Sequence, residues 1–180
     1  MRVFWRNGYE ATSMSDLVDA LGINRASLYA AFGDKEALFL RVLDRYRQDF
    51  TERPVAALNE FEDPREAVGA FLYRTVDHLT DDRLPRGCLF ANAILESPGG
   101  SERICQAVAN GVAGLEDAIY HVLLRSSGTD KIPVGTDCRA LARFFVGVAQ
   151  GMALMAKVSP DKSLVLDIAS TSMAIWPTAR

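Results

Sequence analysis

Three groups of residues in this chain are of types that could do chemistry: two histidines, three cysteines, and a polar run between Ser13 and Lys35. Nucleophilic or acid–base work needs its members grouped, as Ser with His and Asp, Cys with His and Asn, or His-x-x-x-His along one helix face. His78 and His121 stand alone among helical apolar residues and are expected to be structural. A glycine-rich phosphate loop is also missing from the sequence, since Pro98-Gly99-Gly100 is too short for one and reads as a helix break. The sequence therefore points away from an enzyme, a cofactor and a metal site. Cys88, Cys105 and Cys138 are odd in number and far apart, neither a disulfide framework nor a zinc spacing, and fit a reducing cytoplasm.

The polar run is more informative. Ser13 opens a Ser-x-x-Asp pattern with Asp16, the start of a helix whose Leu17, Val18 and Leu21 face inward. Gly22 permits the helix to end, Ile23 pins the turn, and Asn24 can cap a second helix. In that second helix Leu28 and Phe32 point one way, leaving Arg25, Ser27 and Tyr29, with small Ala26 and Ala30, on the outer side. Two short helices, a tight turn and a polar outer face suit a helix-turn-helix that reads DNA. An ordinary helical hairpin has the same spacing. Charge does not separate the two: residues 1–33 carry Arg2, Arg6 and Arg25 against Glu10, Asp16 and Asp19, and the whole chain has net charge −3.

These groups must be positioned by helices. Apolar stripes of period 3.6 recur from end to end, and none alternates convincingly with period two. Examples are Leu38, Phe39, Val42, Leu43 and Tyr46; Ile104, Val108, Val112, Leu115 and Ile119; and Leu141, Phe144, Phe145, Val148 and Met152. The chain is expected to be all-α, with about eight or nine helices in 180 residues. A small module of short helices (1–33) precedes a connecting helix (34–53) and a larger helical domain (54–180). Met1 to Asn7 shows no extended apolar run and no small-residue cleavage site, so no secretory signal is expected. Leu141 to Met155 is interrupted by Arg143 and Gln150, and no membrane span is expected.

The runs Gly8-Tyr9, Thr12-Ser13, Leu21-Gly22-Ile23, Leu28-Tyr29-x-x-Phe32 and Lys35-Glu36-x-Leu38 closely resemble the amino-terminal domain of the TetR (tetracycline-repressor-like) family. The resemblance covers about thirty-five positions. It implies a homodimeric, all-helical transcriptional regulator that binds double-stranded operator DNA and whose carboxy-terminal domain takes a small effector. It also carries roles onto residues. Arg25 and Ala26 would meet base edges, with Ser27 and Ala30 beside them, and Tyr29 and Lys35 would reach phosphate. Ser13, Ser15 and Asn24 would hold the backbone at helix starts. Family members usually have a longer first helix, so the stretch of about Arg2 to Asn7 is expected to be a truncated one.

In the larger domain, residues of about 138–157 and 162–177 are apolar over more than one face, and such helices must bury both. The resemblance makes them the dimer interface, with Gly147, Gly151, Met155, Ile168, Ser172 and Ile175 as its expected residues. The pattern alone also suits two wholly internal helices. Phe71, Tyr73, His78, Cys88, Phe90, Asn92, Phe144 and Gln150 combine aromatic area with a few polar groups and are expected to line the effector pocket. That lining implies a small, mainly apolar effector. The run Gly87-Cys88-Leu89 is similar to that of some electrophile and oxidant sensors of the family; a small buried thiol is the other reading of Cys88. A helical small-molecule-binding or structural dimer with a defective DNA module is the alternative to a regulator.

Overall fold

A computed structural model describes residues 1–96 and 101–178. Its described residues form ten α-helices and no strand beyond one isolated bridge, Ser127 to Ile132. They are α1 (Arg2–Asn7), α2 (Met14–Leu21), α3 (Arg25–Phe32), α4 (Lys35–Tyr46), α5 (Glu52–Ala56), α6 (Pro64–Leu79), α7 (Leu89–Glu96), α8 (Glu102–Arg125), α9 (Cys138–Val158) and α10 (Lys162–Ala174). The expected break at Pro98-Gly99-Gly100 lies outside the described residues. Side-chain caps start most of these helices: Ser13, Asn24, Asp34, Asp63, Ser101, Asp137 and Asp161 each accept a backbone N–H of the first turn.

The connecting helix differs from expectation. It does not run unbroken to residue 53. After α4 the chain widens into a π-turn over Arg47–Thr51, re-enters α5, and tightens into a 3₁₀ turn at Ala57–Asn59. Pro54 gives the physical reason. It has no N–H for the carbonyl of Phe50, and its ring would press on that carbonyl in a regular α-helix. Widening the preceding turn relieves the crowding, and the Glu52 N–H is given to the Arg47 carbonyl instead. Splitting this segment raises the helix number above the eight or nine expected.

Two apolar cores hold the molecule. The first joins α6, α8, α9 and α10 around Phe71, Leu72, Ile119, Leu123, Phe145, Met152 and Val165. The second joins Phe4, Trp5, Leu17, Leu28, Phe39, Leu43 and Tyr46 to Leu89, Ala93, Ile104 and Val108. The three-helix module therefore shares its core with α7 and α8 of the larger domain. Short as it is, α1 buries Phe4 and Trp5 almost completely. Their rings meet those of Phe39 and Tyr46, with centroids 5.0 and 4.8 Å apart.

By length and composition α9 is the one helix among the described residues that could cross a bilayer. Its Arg139 and Arg143 are paired with Glu116 and Asp117 of α8, and one of its faces is built into the first core.

Candidate functional site

The helix-turn-helix is set by local hydrogen bonds that the sequence specifies. Ser13 Oγ accepts the Asp16 N–H at 3.1 Å, and the Asp16 carboxylate accepts the Ser13 N–H at 2.8 Å and the hydroxyl at 2.7 Å. Those bonds from Ser13 hold the Asp16 carboxyl below the usual aspartate value. Gly22 takes a left-handed conformation, φ 65°, that closes α2. Asn24 Oδ1 accepts the Ser27 N–H at 2.8 Å and opens α3. Leu28 is fully buried and locks α3 onto the module. Arg25, Ala26, Ser27, Tyr29 and Ala30 all lie on the exposed face, and the Arg25 guanidinium sits 5.8 Å from the centroid of the Tyr29 ring.

Other expected contact residues have partners inside the protein. The side chains of Ser13 and Asn24 serve as helix caps, and the Asp16 carboxylate occupies the start of α2, so that end is not a bare anion seat. Ser15 is exposed. Lys35 is half-buried; its ammonium donates to the Tyr9 carbonyl at 3.0 Å and lies 4.2 Å from the Tyr9 ring centroid.

One grip on the module was not expected. Glu96, the last residue of α7, accepts the N–H groups of Tyr9 at 2.7 Å and Glu10 at 3.1 Å. Gly8 makes this approach possible, because a side chain there would collide with the Glu96 carboxylate. Nothing in the sequence marks Glu96, since its partners are backbone groups 86 and 87 residues away.

The other end of α7 faces a cavity of about 330 Å³ between the α4–α5 junction and α6, α8 and α9. Phe71, His78, Cys88, Phe90 and Gln150, all expected there, line it together with Tyr46, Thr75, Leu79, Val112, Leu115 and Ala149. Three expected residues do not. Tyr73 is exposed on α6, and Phe144 is exposed on the outer face of α9. Asn92 is buried as a rivet: its Nδ2 donates to the Trp5 carbonyl at 3.2 Å, while its Oδ1 accepts from Lys157 Nζ at 2.9 Å. For Tyr73 and Phe144 the reason is helical phase, where one position is 100° of rotation. For Asn92 it is a long-range partner.

The polar end of the cavity is tightly bonded. Tyr46 Oη and His78 Nε2 lie 3.0 Å apart. Burial, with Cys88 beside it, holds the Tyr46 phenol well above its usual value. Burial pushes His78 down, only partly offset by the Asp81 carboxylate. A histidine kept neutral in the folded state binds its proton more readily when unfolded. Its contribution is complete above the unfolded value of about 6.5 and is lost as pH falls from there toward the folded value. Urea unfolding at pH 7.5 and 5.5 should therefore show a loss of stability on acidification that is smaller in His78→Phe. An equal loss in both proteins would show that His78 does not carry it.

A wider groove of about 610 Å³ shares His78 and is charged. Most of its charges are already paired: Arg83 with Asp81, Asp49 with Arg45, Asp77 with Lys162 and Arg74 with Glu60.

The remaining candidate surface is the outward side of α9 and α10. Phe144, Gly147, Val148, Gly151, Leu154, Met155 and Val158 fall on one helical stripe, and Leu164, Ile168, Thr171 and Ile175 on another. Leu154, Val158 and Ile175 on these stripes are 46%, 72% and 57% exposed. Ser172, expected on this face, is instead buried, its hydroxyl donating to the Ala169 carbonyl at 2.7 Å.

Comparison with known proteins gives a consistent answer over the whole length. Residues 1–42 match the family model described as bacterial regulatory proteins, tetR family, and residues 64–171 match the tetracyclin repressor-like carboxy-terminal domain. The chain is 32% identical to the HTH-type transcriptional repressor ComR of Escherichia coli K12, over 98% of this chain and 85% of that protein. It is 30% identical to an HTH-type regulator of Bacillus subtilis 168, YezE, over 97% and 91% of the two chains. Among solved structures it is similar to a cysteine mutant of the TetR family regulator CifR complexed with 26-base-pair operator DNA. That similarity has a TM-score of 0.90 and 30% identity, over 98% of this chain and 92% of the other.

Proposed function

The chain belongs to the tetR family of bacterial regulatory proteins, and from that premise we propose that it is a homodimeric repressor released from its operator by a small, mainly apolar molecule. It is a DNA-binding transcriptional regulator. The observation that carries the reading is the α3 surface: five outward groups, Arg25 to Ser27 and Tyr29 to Ala30, at the start of a helix held from behind by buried Leu28. The fully packed Phe4 and Trp5 support an intact module, against the alternative of a dimer whose DNA module is defective.

Each residue has a part in this reading. Arg25 meets a base edge in the major groove, and a two-bond pairing with guanine is the contact it suits best. Ala26, Ser27 and Ala30 shape the surface around it. Tyr29 and Ser15 reach phosphate. Lys35 gives one N–H to Tyr9 and has two more for phosphate. Ser13 and Asn24 act through the backbone they cap. The outward stripes of α9 and α10 pair with those of a second subunit, placing two reading helices about 34–36 Å apart or at a multiple of that spacing. Because its partner is DNA, the place of action is the cytoplasm, and its role is binding rather than catalysis. Effector in the cavity must favour a dimer whose heads no longer match the grooves, since only differential affinity shifts the balance.

The test is gel retardation and footprinting on DNA flanking its own gene, across a salt series. Arg25→Ala should weaken operator binding by about 1–3 kcal/mol and relax preference at one base pair in each half-site. Lys35→Ala should weaken binding to all sequences alike and lower the salt slope by about one. Identical sequence profiles for the parent protein and Arg25→Ala would overturn the assignment of the reading helix.

A further inference from the structure

One buried side-chain oxygen of the cavity wall has no partner among the described residues. Gln150 Oε1, on the flank of α9 about 100° around from Gly151, is buried and accepts no hydrogen bond among the described residues. Buried acceptors are ordinarily satisfied, and an exception asks for an explanation. Three other polar side chains of the wall have partners: Tyr46 pairs with His78, and Thr75 donates to the Phe71 carbonyl at 2.8 Å. Charges at the wall are occupied too, because Arg47 and Glu52 pair with each other at 2.8 Å. His78, pushed toward its neutral form, adds no cation.

Resting on the reading of this cavity as the effector site, we propose that its ligand is a neutral, largely apolar molecule carrying a hydrogen-bond donor, a hydroxyl or N–H, that Gln150 Oε1 accepts. A carboxylate or phosphate finds no unpaired cation in the lining, and an ammonium finds no unpaired carboxylate. A pure hydrocarbon leaves the Gln150 carbonyl as unsatisfied as it is now. The volume is at the small end of the range of about 300–1,000 Å³ for ligand sites, so one or two rings or a short chain fill it. Gly114 is among the residues that line the cavity and is exposed, and a Cβ built there meets no atom within 4 Å, so a larger side chain can start from it into the space beside the lining.

The experiment uses the full-length protein and three probes of one shape: 2-naphthol as donor, 2-methoxynaphthalene without the donor, and 2-naphthoate as anion. Binding is measured by calorimetry on the parent protein, Gln150→Leu and Gly114→Leu. Naphthol should bind about tenfold or more tighter than either analogue. Gln150→Leu should abolish the preference of naphthol over methoxynaphthalene while leaving methoxynaphthalene bound at least as well, a readout that misfolding would not give. Gly114→Leu should weaken all three probes. Equal binding of naphthol and methoxynaphthalene to the parent protein, or tightest binding of naphthoate, overturns the proposal. If Gly114→Leu still weakens binding in that case, the cavity remains the ligand site. Binding of no probe, or binding untouched by Gly114→Leu, overturns the cavity reading itself.

Discussion

Gly151→Glu should turn the protein into a folded monomer and lower operator affinity by about 10²–10⁴-fold, the loss expected when two linked half-site contacts become one. The position is favourable for such a test because a Cβ added to Gly151 meets no atom within 4 Å in the protomer. Replacing glycine in a helix interior even adds about 0.5–1 kcal/mol of local stability. The glutamate therefore harms only what covers that face. In a dimer it would put a charge between apolar stripes of Val148, Leu154 and Met155, where an unpaired carboxylate is costly. Ile168→Glu should also break the dimer, giving monomer or aggregate, because Ile168 packs against the protomer's own core as well. Light scattering reads the mass, circular dichroism the retained helix, and gel retardation the affinity. A Gly151→Glu protein that stays dimeric at micromolar concentration would place the interface elsewhere.

Trp5→Ala should cost about 3–5 kcal/mol of stability, the usual loss for a fully buried large aromatic. Trp5 is 1% exposed, with ring centroids 4.8 Å from Tyr46, 5.2 Å from Phe50 and 5.9 Å from His78. Its indole N–H donates to the Gly87 carbonyl at 3.1 Å, next to Cys88, and its own carbonyl accepts from Asn92. Truncation thus opens a void and leaves the Gly87 carbonyl unsatisfied. For a chain of this size the thermal midpoint should fall by roughly 6–20 °C. Trp5→Phe separates the two losses by keeping most of the packing and removing only the N–H. Because Trp5 touches both the reading module and the cavity wall, Trp5→Ala should also weaken DNA binding at temperatures well below unfolding. A variant within 2 °C of the parent would show that this cluster does not hold the module in place.

The difference between what the sequence disclosed and what it hid follows the range of the interactions. The capping box of Ser13 and Asp16, the Gly22 turn and the Asn24 cap are local, and local chemistry is written in neighbouring letters. Period-3.6 stripes likewise disclosed every long helix. They fixed helical phase less well: Phe144 turned outward, Ser172 turned inward, and Tyr73 missed the cavity that Phe71 and His78 line. Asn92 and Glu96 were out of reach altogether, because each serves the first ten residues from more than eighty positions away. Pro54 was a legible signal, and its effect on the turn before it follows from the missing N–H.

That widened turn over Arg47–Thr51 bears on how the two halves of such proteins can be recombined. A π-turn holds one residue more than the α-turn it replaces, and each residue of an α-helix advances the chain by about 100° and 1.5 Å. Deleting a single residue between Arg47 and Thr51 would let the turn close as an ordinary α-turn at nearly the same rotation. Deleting one within α4, which has no spare residue, would swing everything ahead of it by more than a quarter of a revolution about the α4 axis. The Trp5 and Glu96 attachments would then face the wrong way. A chimera carrying a foreign reading head on this effector domain must therefore conserve the residue count of α4, or take α7 along with the head it clasps.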